Sequence, residues 1–586
     1  WLKVFRSAKE WGLNHLRFHS WCPPKAAFEV ADSLGFYLQV ELPLWSLTVG
    51  ENPEMNQFLY NEAKRILSEY GNHPSFCFLS LGNELQPDFE FLGGLLDSVK
   101  ALDSRHLYTT TSFTFEKGHG DWPEPHDDFF ITQWTKKGWV RGQGVFDVEM
   151  PNFNKDYSAS VDSMPVPVIT HEIGQYAVYP DLKEIEKYTG VLEPLNFKGV
   201  KQELENKNLL EKADDYLSAS GHLAAILYKE EIERAMKTPG ISGFQLLDLH
   251  DFPGQGTALV GLLNAFWESK GVANAEEFRQ FSAPVVPLAR FSKAVYKNNE
   301  QFTADIEIAN YSSEEINNKN IKWALTNAFG QPLQEGIIPL TNIKIGGGNI
   351  AGKISCSLSE VKKAERLTLR VSIENSSYKN TWNIWVYPAT LTIEKEEIVV
   401  TDKLTETQKA LAAGKTVLFN PPYQLCAGLQ GKFVPVFWSP VHFPKQAGTM
   451  GLLLDPTHKA FAHFPTEGHT NWQWWSLTTQ SRTLVIDSIY QHITPLVECV
   501  DNFANNRRLA TLFETNCLNG KLIVCSMDLL NHQDTFPEKK QLLYSLINYM
   551  KSNAFAPVKS ISFEELCSLV KPSSKGKKEE TPQSVY

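Results

Sequence analysis

The sequence predicts a multidomain chain: a (β/α)8 TIM barrel lacking its first strand, then a β-sandwich, then an α/β accessory domain. Three observations carry this prediction. Over residues 1–283, short apolar β-type runs alternate with longer helical patterns, the signature of β/α units on a parallel sheet. Over 284–390 the pattern turns to period-two alternation broken by Asn, Ser and Gly turns, and over 391–571 helices and strands mix again. At roughly 100–200 residues per domain, a chain of 586 residues suits three or four such units.

In the first region, strands are expected at 14–17, 36–41, 76–82, 108–111, 129–133, 166–170 and 241–247. Helices are expected at 24–34, 55–70 and 217–236, where apolar residues recur at helical spacing. A closed barrel has eight strands, and a chain that opens on the helical pattern 2–11 would have lost the first. The sandwich strands fall at 301–310, 321–327, 367–374 and 381–387. In the third region, strands at 398–401, 416–420 and 521–526 accompany helices at 405–413 and 538–551. The stretch 572–586 is rich in Ser, Lys and Glu and is expected to be disordered.

Composition narrows the function. The longest apolar runs fall far short of the roughly 20 residues that cross a bilayer, so no membrane span is expected. A net charge of −11 argues against nucleic acid, because phosphate binding needs a basic footprint. The eight cysteines lie far apart with no Cys-x-x-Cys pair, which reads as free thiols rather than disulfides or zinc ligands.

The chemistry lies in two strand ends. Phe76-Cys77-Phe78-Leu79-Ser80-Leu81 runs into Gly82-Asn83-Glu84, and Val166-Pro167-Val168-Ile169-Thr170 runs into His171-Glu172. Barrel active sites form at the C-terminal ends of strands, so two glutamates on different strands can converge. Glycoside hydrolysis needs such a pair, one carboxyl to protonate the leaving oxygen and one carboxylate to attack the sugar carbon or activate water. Mutual repulsion and partial burial would keep a proton on one of them.

Several motifs in order resemble glycoside hydrolase family 2, the β-galactosidases, β-glucuronidases and β-mannosidases. They are Asn14-His15-Leu16-Arg17, Ala31-Asp32-Ser33-Leu34-Gly35, Glu41, Gly71-Asn72-His73-Pro74-Ser75, Gly82-Asn83-Glu84, His171-Glu172, and Gly243-Phe244-Gln245 through Asp251-Phe252. The resemblance covers 1–283 and implies Glu84 as acid/base, Glu172 as nucleophile and a retaining double displacement. It also implies that Asn83 binds the sugar 2-hydroxyl; the other expected substrate-site residues are Arg17, Gln133, Trp134, His171, Gln245 and Asp248, with His19 either a substrate contact or a satisfied histidine of the pocket wall.

This chain departs from the family pattern in places. Arg17-Phe18-His19-Ser20-Trp21-Cys22 exchanges the His and Ser of Arg-x-Ser-His-Tyr-Pro, and Leu247 stands where a Trp usually floors the sugar, so Trp134 or Trp139 is expected to supply the platform. With no Tyr ending the sixth strand, Gln133 or His171 is the candidate to hydrogen-bond Glu172. Ala258-Leu259-Val260 replaces the Asn-x-Lys that binds uronate, which favours a neutral sugar such as galactose.

The expected partner is therefore an oligo- or polysaccharide, with no cofactor and no metal site evident, although some family galactosidases use Mg²⁺. A homo-oligomer is compatible with this reading, and a periplasmic or secreted polysaccharide degrader is what the resemblance suggests. The rival expectation is a non-catalytic carbohydrate-binding protein on a decayed barrel. Outside the barrel, His469-Thr470-Asn471-Trp472-Gln473-Trp474-Trp475 reads as core packing or as a sugar-stacking surface. Cys525 lacks a Gly-flanked nucleophile elbow and is given no catalytic role.

Overall fold

The computed structural model of the chain describes residues 1–570 except 143, 341 and 396. The expected disordered stretch 572–586 lies outside the described residues. Four strands, His15–Phe18, Tyr37–Glu41, Phe76–Ser80 and Leu107–Thr109, pair in parallel in that order. Three more, Phe130–Thr132, Val168–Gly174 and Ile241–Leu247, form a second parallel sheet. Each sits within a few residues of its expected place.

The sheets are curled rather than flat. In a flat sheet, strands five places apart would be separated by about 24 Å, at ~4.8 Å per strand. Arg17, on the first of the seven strands, instead donates to Glu172, on the sixth, at 2.9 Å. The second seam is joined by Asp128 N–H donating to the Tyr108 carbonyl at 2.8 Å. Between Ile241–Leu247 and His15–Phe18, no strand pairing occurs among the described residues. Gln245 spans this gap by donating to Gln39 at 2.7 Å, beside a cavity of about 400 Å³ lined by His15, Tyr37, Ile241 and Phe244.

Local sequence explains the helices that pack outside. Asn52 caps Pro53–Tyr70 by accepting from the N–H groups of Glu54 and Met55, and Pro53 supplies a preset first turn. That helix buries Leu59, Ala63, Ile66 and Leu67, a stripe at helical spacing. Lys25–Leu34 buries Ala27, Phe28 and Ala31 and stops at Gly35, whose left-handed φ of 73° favours glycine. Asp32 at the end of this helix accepts from Ser75 N–H at 3.0 Å and contacts His73 at 2.6 Å. Two of the family-like motifs, around Asp32 and His73, thus brace a helix against the turn that starts the third strand.

The chain continues into two sheets, one of Val285–Arg290, Gln301–Asn310 and Gly346–Ser357, the other of five strands including Asn320–Thr326, Glu365–Ile373 and Lys379–Tyr387. Phe302, Ile306, Leu325, Leu369 and Trp385 are buried in one cluster with their neighbours. The last region holds a mixed sheet in which Ile398–Thr401, Thr416–Phe419 and Gly520–Cys525 pair in parallel, and Leu509–Cys517 adds antiparallel.

Of the Trp-rich segment, Gln473 and Trp474 are fully buried, and Trp475 is nearly so, its indole N–H donating to the Phe146 carbonyl at 2.7 Å. Packing, not a sugar surface, accounts for these three. All eight cysteines are free, and burial pushes the Cys525 thiol up to about 12, which leaves it unreactive. Among the described residues no helix is long and apolar enough to cross a membrane.

A buried charge cluster locks the first two regions together. Glu233, on the long helix Ala213–Met236, is fully buried and accepts from Lys229 at 2.5 Å, from Asn380 at 2.8 Å and from the Trp382 indole at 2.9 Å. Glu233→Ala would leave the half-buried Lys229 and the fully buried Lys237, 3.7 Å away, without their carboxylate, and should lower stability by about 3–5 kcal/mol. Glu233→Gln should lower it less. Denaturant midpoints for the two variants beside the parent check this ordering.

Candidate active site

Glu84 and Glu172 are delivered by tight backbone. After the strand Phe76–Ser80 the chain passes under Leu44, where a Cβ on Gly82 would stand 2.4 Å from the Leu44 carbonyl oxygen, so only glycine fits. Asn83 N–H then donates to that same carbonyl at 3.2 Å, and Glu84 N–H donates to the Ser112 carbonyl at 3.3 Å. Just past Glu172, Gly174 has a φ of 91° and a Cβ there would lie 2.1 Å from the Tyr228 ring. Both glutamates have left-handed backbone, with φ of 52° at Glu84 and 49° at Glu172. Such a conformation costs of order 1–3 kcal/mol in a non-glycine residue and persists only where the surroundings enforce it.

One cation organises the pocket. Arg17 donates from Nε to Glu41 at 2.6 Å, from Nη1 to Glu172 at 2.9 Å and from Nη2 to the Asn83 side-chain oxygen at 2.5 Å. Glu41 is itself fully buried and accepts from Ser112 Oγ at 2.5 Å, Ser20 N–H at 2.6 Å and Gln39 at 3.2 Å. Of the three acceptors that face Arg17, Glu41 is therefore held from behind.

The two candidate carboxyls are treated differently. Burial, and then the charge of Glu172, raise the Glu84 pKa to about 7, against the opposing pull of the Trp45 indole N–H at 3.2 Å and the charges of Arg17 and Arg141. Burial would also raise Glu172, but the fields of His171 and Arg17, with the Arg17 hydrogen bond, outweigh it and hold Glu172 below the usual carboxylate range. His171 is fully buried, and that burial drops its own pKa to about 3, so it is neutral at pH 7. Arg17 is the lasting charge that keeps Glu172 ionised. Near neutral pH the site thus holds a proton donor beside a carboxylate.

The donor atoms of Glu84, His171 and Glu172 lie within 4.8 Å of one another. That set could ligate a cation, but the Arg17 guanidinium already occupies the Glu172 oxygen nearest to it. No other such trio of His, Cys, Asp or Glu occurs among the described residues.

The remaining expected site residues divide. Arg17, Asn83 and His171 surround the carboxyl pair, and His19 is exposed at the rim. Trp134 and Trp139 meet edge-on at 5.3 Å and, with Phe115, wall a cavity of about 770 Å³. Gln245 and Asp248 make no hydrogen bond to the pair: Gln245 bonds Gln39 and His15, and Asp248 pairs with His250 at 3.2 Å. The carboxamide beside Glu172 belongs to Gln175, which donates to it at 3.3 Å, and Gln133 makes no such bond. The reason is geometric: the strand runs on to Gly174, so the residue after it turns back over Glu172, whereas Gln133 is buried with its oxygen unpartnered.

Sequence reasoning missed Trp45, Ser112, Gln175 and Arg141, and gave Glu41 no role. Trp45 and Ser112 each follow the C-terminal end of a strand, the one signal that could have flagged them. Arg141 is fully buried, and none of its three guanidinium nitrogens has a hydrogen-bond partner among the described residues.

Two family models match the chain, both described as domains of unknown function: DUF8488 over residues 300–388 and DUF8487 over residues 399–571. No curated protein matches. Among solved structures, the chain is similar to a β-D-mannosidase from Dictyoglomus thermophilum, at 15% identity and a TM-score of 0.46, over 68% of this chain and 49% of that one. It is also similar to the exo-chitosanase of Amycolatopsis orientalis, at 14% identity and a TM-score of 0.40, over 67% and 47%. A third is the β-glucuronidase of Parabacteroides merdae, at 13% identity and a TM-score of 0.33, over 68% and 48%. The chain spans about half the length of each of these structures.

Proposed function

We propose that this chain carries the catalytic site of a retaining exo-β-glycosidase of the family 2 kind, which removes terminal β-linked sugars from oligo- or polysaccharides. One observation carries the reading: a carboxyl with a pKa near 7 stands beside an ionised carboxylate, with their oxygens within 4.8 Å. Retaining glycosidases place their carboxyls about 5–5.5 Å apart, whereas inverting ones need roughly 6.5–9.5 Å to admit a water.

In the first step, the Glu172 carboxylate attacks the anomeric carbon while the bond from that carbon to the leaving oxygen breaks. Glu84 passes its proton to that oxygen, and the aglycone departs as an alcohol. In the second step, the Glu84 carboxylate takes a proton from water as the water oxygen attacks the same carbon, and the Glu172 ester is released. Arg17 balances the charge of the Glu172 carboxylate before the first step and again once the second step releases it. Because Arg17 occupies the Asn83 oxygen, the Asn83 amide N–H groups are left to donate to the sugar 2-hydroxyl.

With Leu247 at the usual Trp position, the half-exposed Trp45 and the Trp134 wall supply the stacking surface. A neutral sugar, galactose first, is favoured because Ala258, Leu259 and Val260 are all fully buried and offer nothing to a uronate.

Two experiments test this reading. On a panel of 4-nitrophenyl β-glycosides, Glu172→Ala should abolish turnover, and azide should restore it with an α-glycosyl azide product. Glu84→Ala should lose roughly 10²–10⁴-fold on substrates with poor leaving groups and yield a β-glycosyl azide. A folded parent inactive on every sugar would instead favour the binding-only barrel.

The pH profile gives the second test. Protonated Glu84 is the working acid, so kcat/KM should fall as pH rises through about 7. The Trp45 N–H stabilises the charged form of Glu84, so Trp45→Phe should move this limb to higher pH. A limb that stays put or moves down would show that Glu84 does not set it.

A further inference from the structure

The nucleophile strand does not end at its last paired residue. Beyond Gly174 the chain continues as a strap tied on both sides by backbone hydrogen bonds. Gln175 N–H donates to the Leu247 carbonyl at 3.1 Å, and Val178 N–H donates to Leu259 at 2.7 Å. On the other side, Trp438 N–H donates to the Gln175 carbonyl at 2.8 Å, Ala177 N–H donates to Val436 at 3.1 Å, and Tyr176 bridges Phe437 antiparallel. Residues 436–438 lie within the region matched by DUF8487. The domain most distant in sequence from the barrel thus adds an edge to the nucleophile strand.

This edge is held at both ends. The barrel residue Asp147 accepts the N–H groups of Phe433 at 2.8 Å and Val434 at 2.9 Å, and Ser439 Oγ donates to the Gly256 carbonyl. The left-handed backbone falls on the shared pair itself, with φ of 62° at Gln175 and 49° at Trp438. The direction in which the Gln175 side chain leaves the strap is fixed by that backbone, and its carboxamide donates to the Glu172 oxygen not held by Arg17.

We propose that the third domain is a working part of the active site: its segment 433–439 positions the nucleophile Glu172 through Gln175. The proposal rests on the glycosidase reading above, and it gives this domain of unknown function a role that its own sequence does not suggest. Gln175 and Asp147 are positioning residues. Neither needs to touch substrate, so their loss should appear in turnover rather than in binding.

The test uses the full chain and four variants: Gln175→Ala, Asp147→Ala, Asp147→Asn, and the double variant Asp147→Ala/Gln175→Ala. Gln175→Ala should lower kcat about tenfold with KM little changed, the scale of one hydrogen bond to a charged group. Asp147→Ala lies in another loop and should do the same, with faster hydrogen exchange in the peptide spanning 173–178. Asp147→Asn keeps an acceptor oxygen for both N–H groups and should restore kcat and protection. The double variant should be no slower than Gln175→Ala alone, because both act on one contact. An active parent whose Asp147→Ala variant keeps full turnover, or keeps 173–178 protected, would overturn the proposal and leave the glycosidase reading standing. Fully additive losses in the double variant would overturn it equally. A parent that turns over no glycoside would sink the reading and the proposal together.

Discussion

The contact on which the rest of the site depends is the fork of Arg17. One guanidinium reaches Glu41 on the second strand, Asn83 after the third and Glu172 on the sixth, and it can do so only because the sheet is curled. Taking such charges out of water costs several kcal/mol per ion unless partners replace the lost hydration. Here one cation serves two carboxylates, and the buried Glu41 gains three further hydrogen bonds from Ser112, Ser20 and Gln39. Curvature, burial and charge balance are therefore one constraint seen from three sides.

The same fork explains why two glutamates a few ångströms apart behave differently. Glu172 receives the guanidinium directly, while the hydrogen bond that reaches the Glu84 carboxylate comes from a neutral donor, the Trp45 indole. Both are largely withdrawn from water, so the group without the cation is the one that keeps a proton. His171 does not disturb this split, because its full burial leaves it neutral. Behind the strand that carries Glu172, Glu231 accepts from Gly142 N–H at 2.6 Å, from Gly174 N–H at 3.0 Å and from the Tyr176 hydroxyl at 2.7 Å. This second buried carboxylate fixes the backbone on either side of the site without entering it.

What could be read from the sequence was what is local. The strand ending in Gly82-Asn83-Glu84 and the strand ending in His171-Glu172 announce themselves by apolar runs that stop at a carboxylate, and the seven strands follow the same signal. Helix limits were legible where capping residues sit, as at Asn52 and Gly35. Partners were not legible where they depend on how the sheet curls. Glu41 looks like one more acidic strand end until Arg17 is seen to clasp it, and Gln245 looks like a substrate ligand until its amide is found on Gln39. Gln133 and Gln175 are alike in sequence, each following an apolar strand. Only the extra turn of strand through Gly174 decides which of them meets Glu172.

The hardest feature to read was the joint between the ends of the chain. Nothing in residues 433–439 marks them as neighbours of the strand that carries Glu172, because edge pairing is made by backbone N–H and carbonyl groups that every sequence carries. The clue lies instead in strain. Left-handed backbone at a Gln and at a Trp is unfavourable in isolation, and it survives where hydrogen bonds on both sides enforce it. Gln175 is gripped between Leu247, at the end of the strand Ile241–Leu247, and Trp438, and neither grip alone would hold both its N–H and its carbonyl. A strand end held on one side by residues 436–438 cannot shift independently of them, so the conformation at Gln175 is set jointly by two segments far apart in sequence.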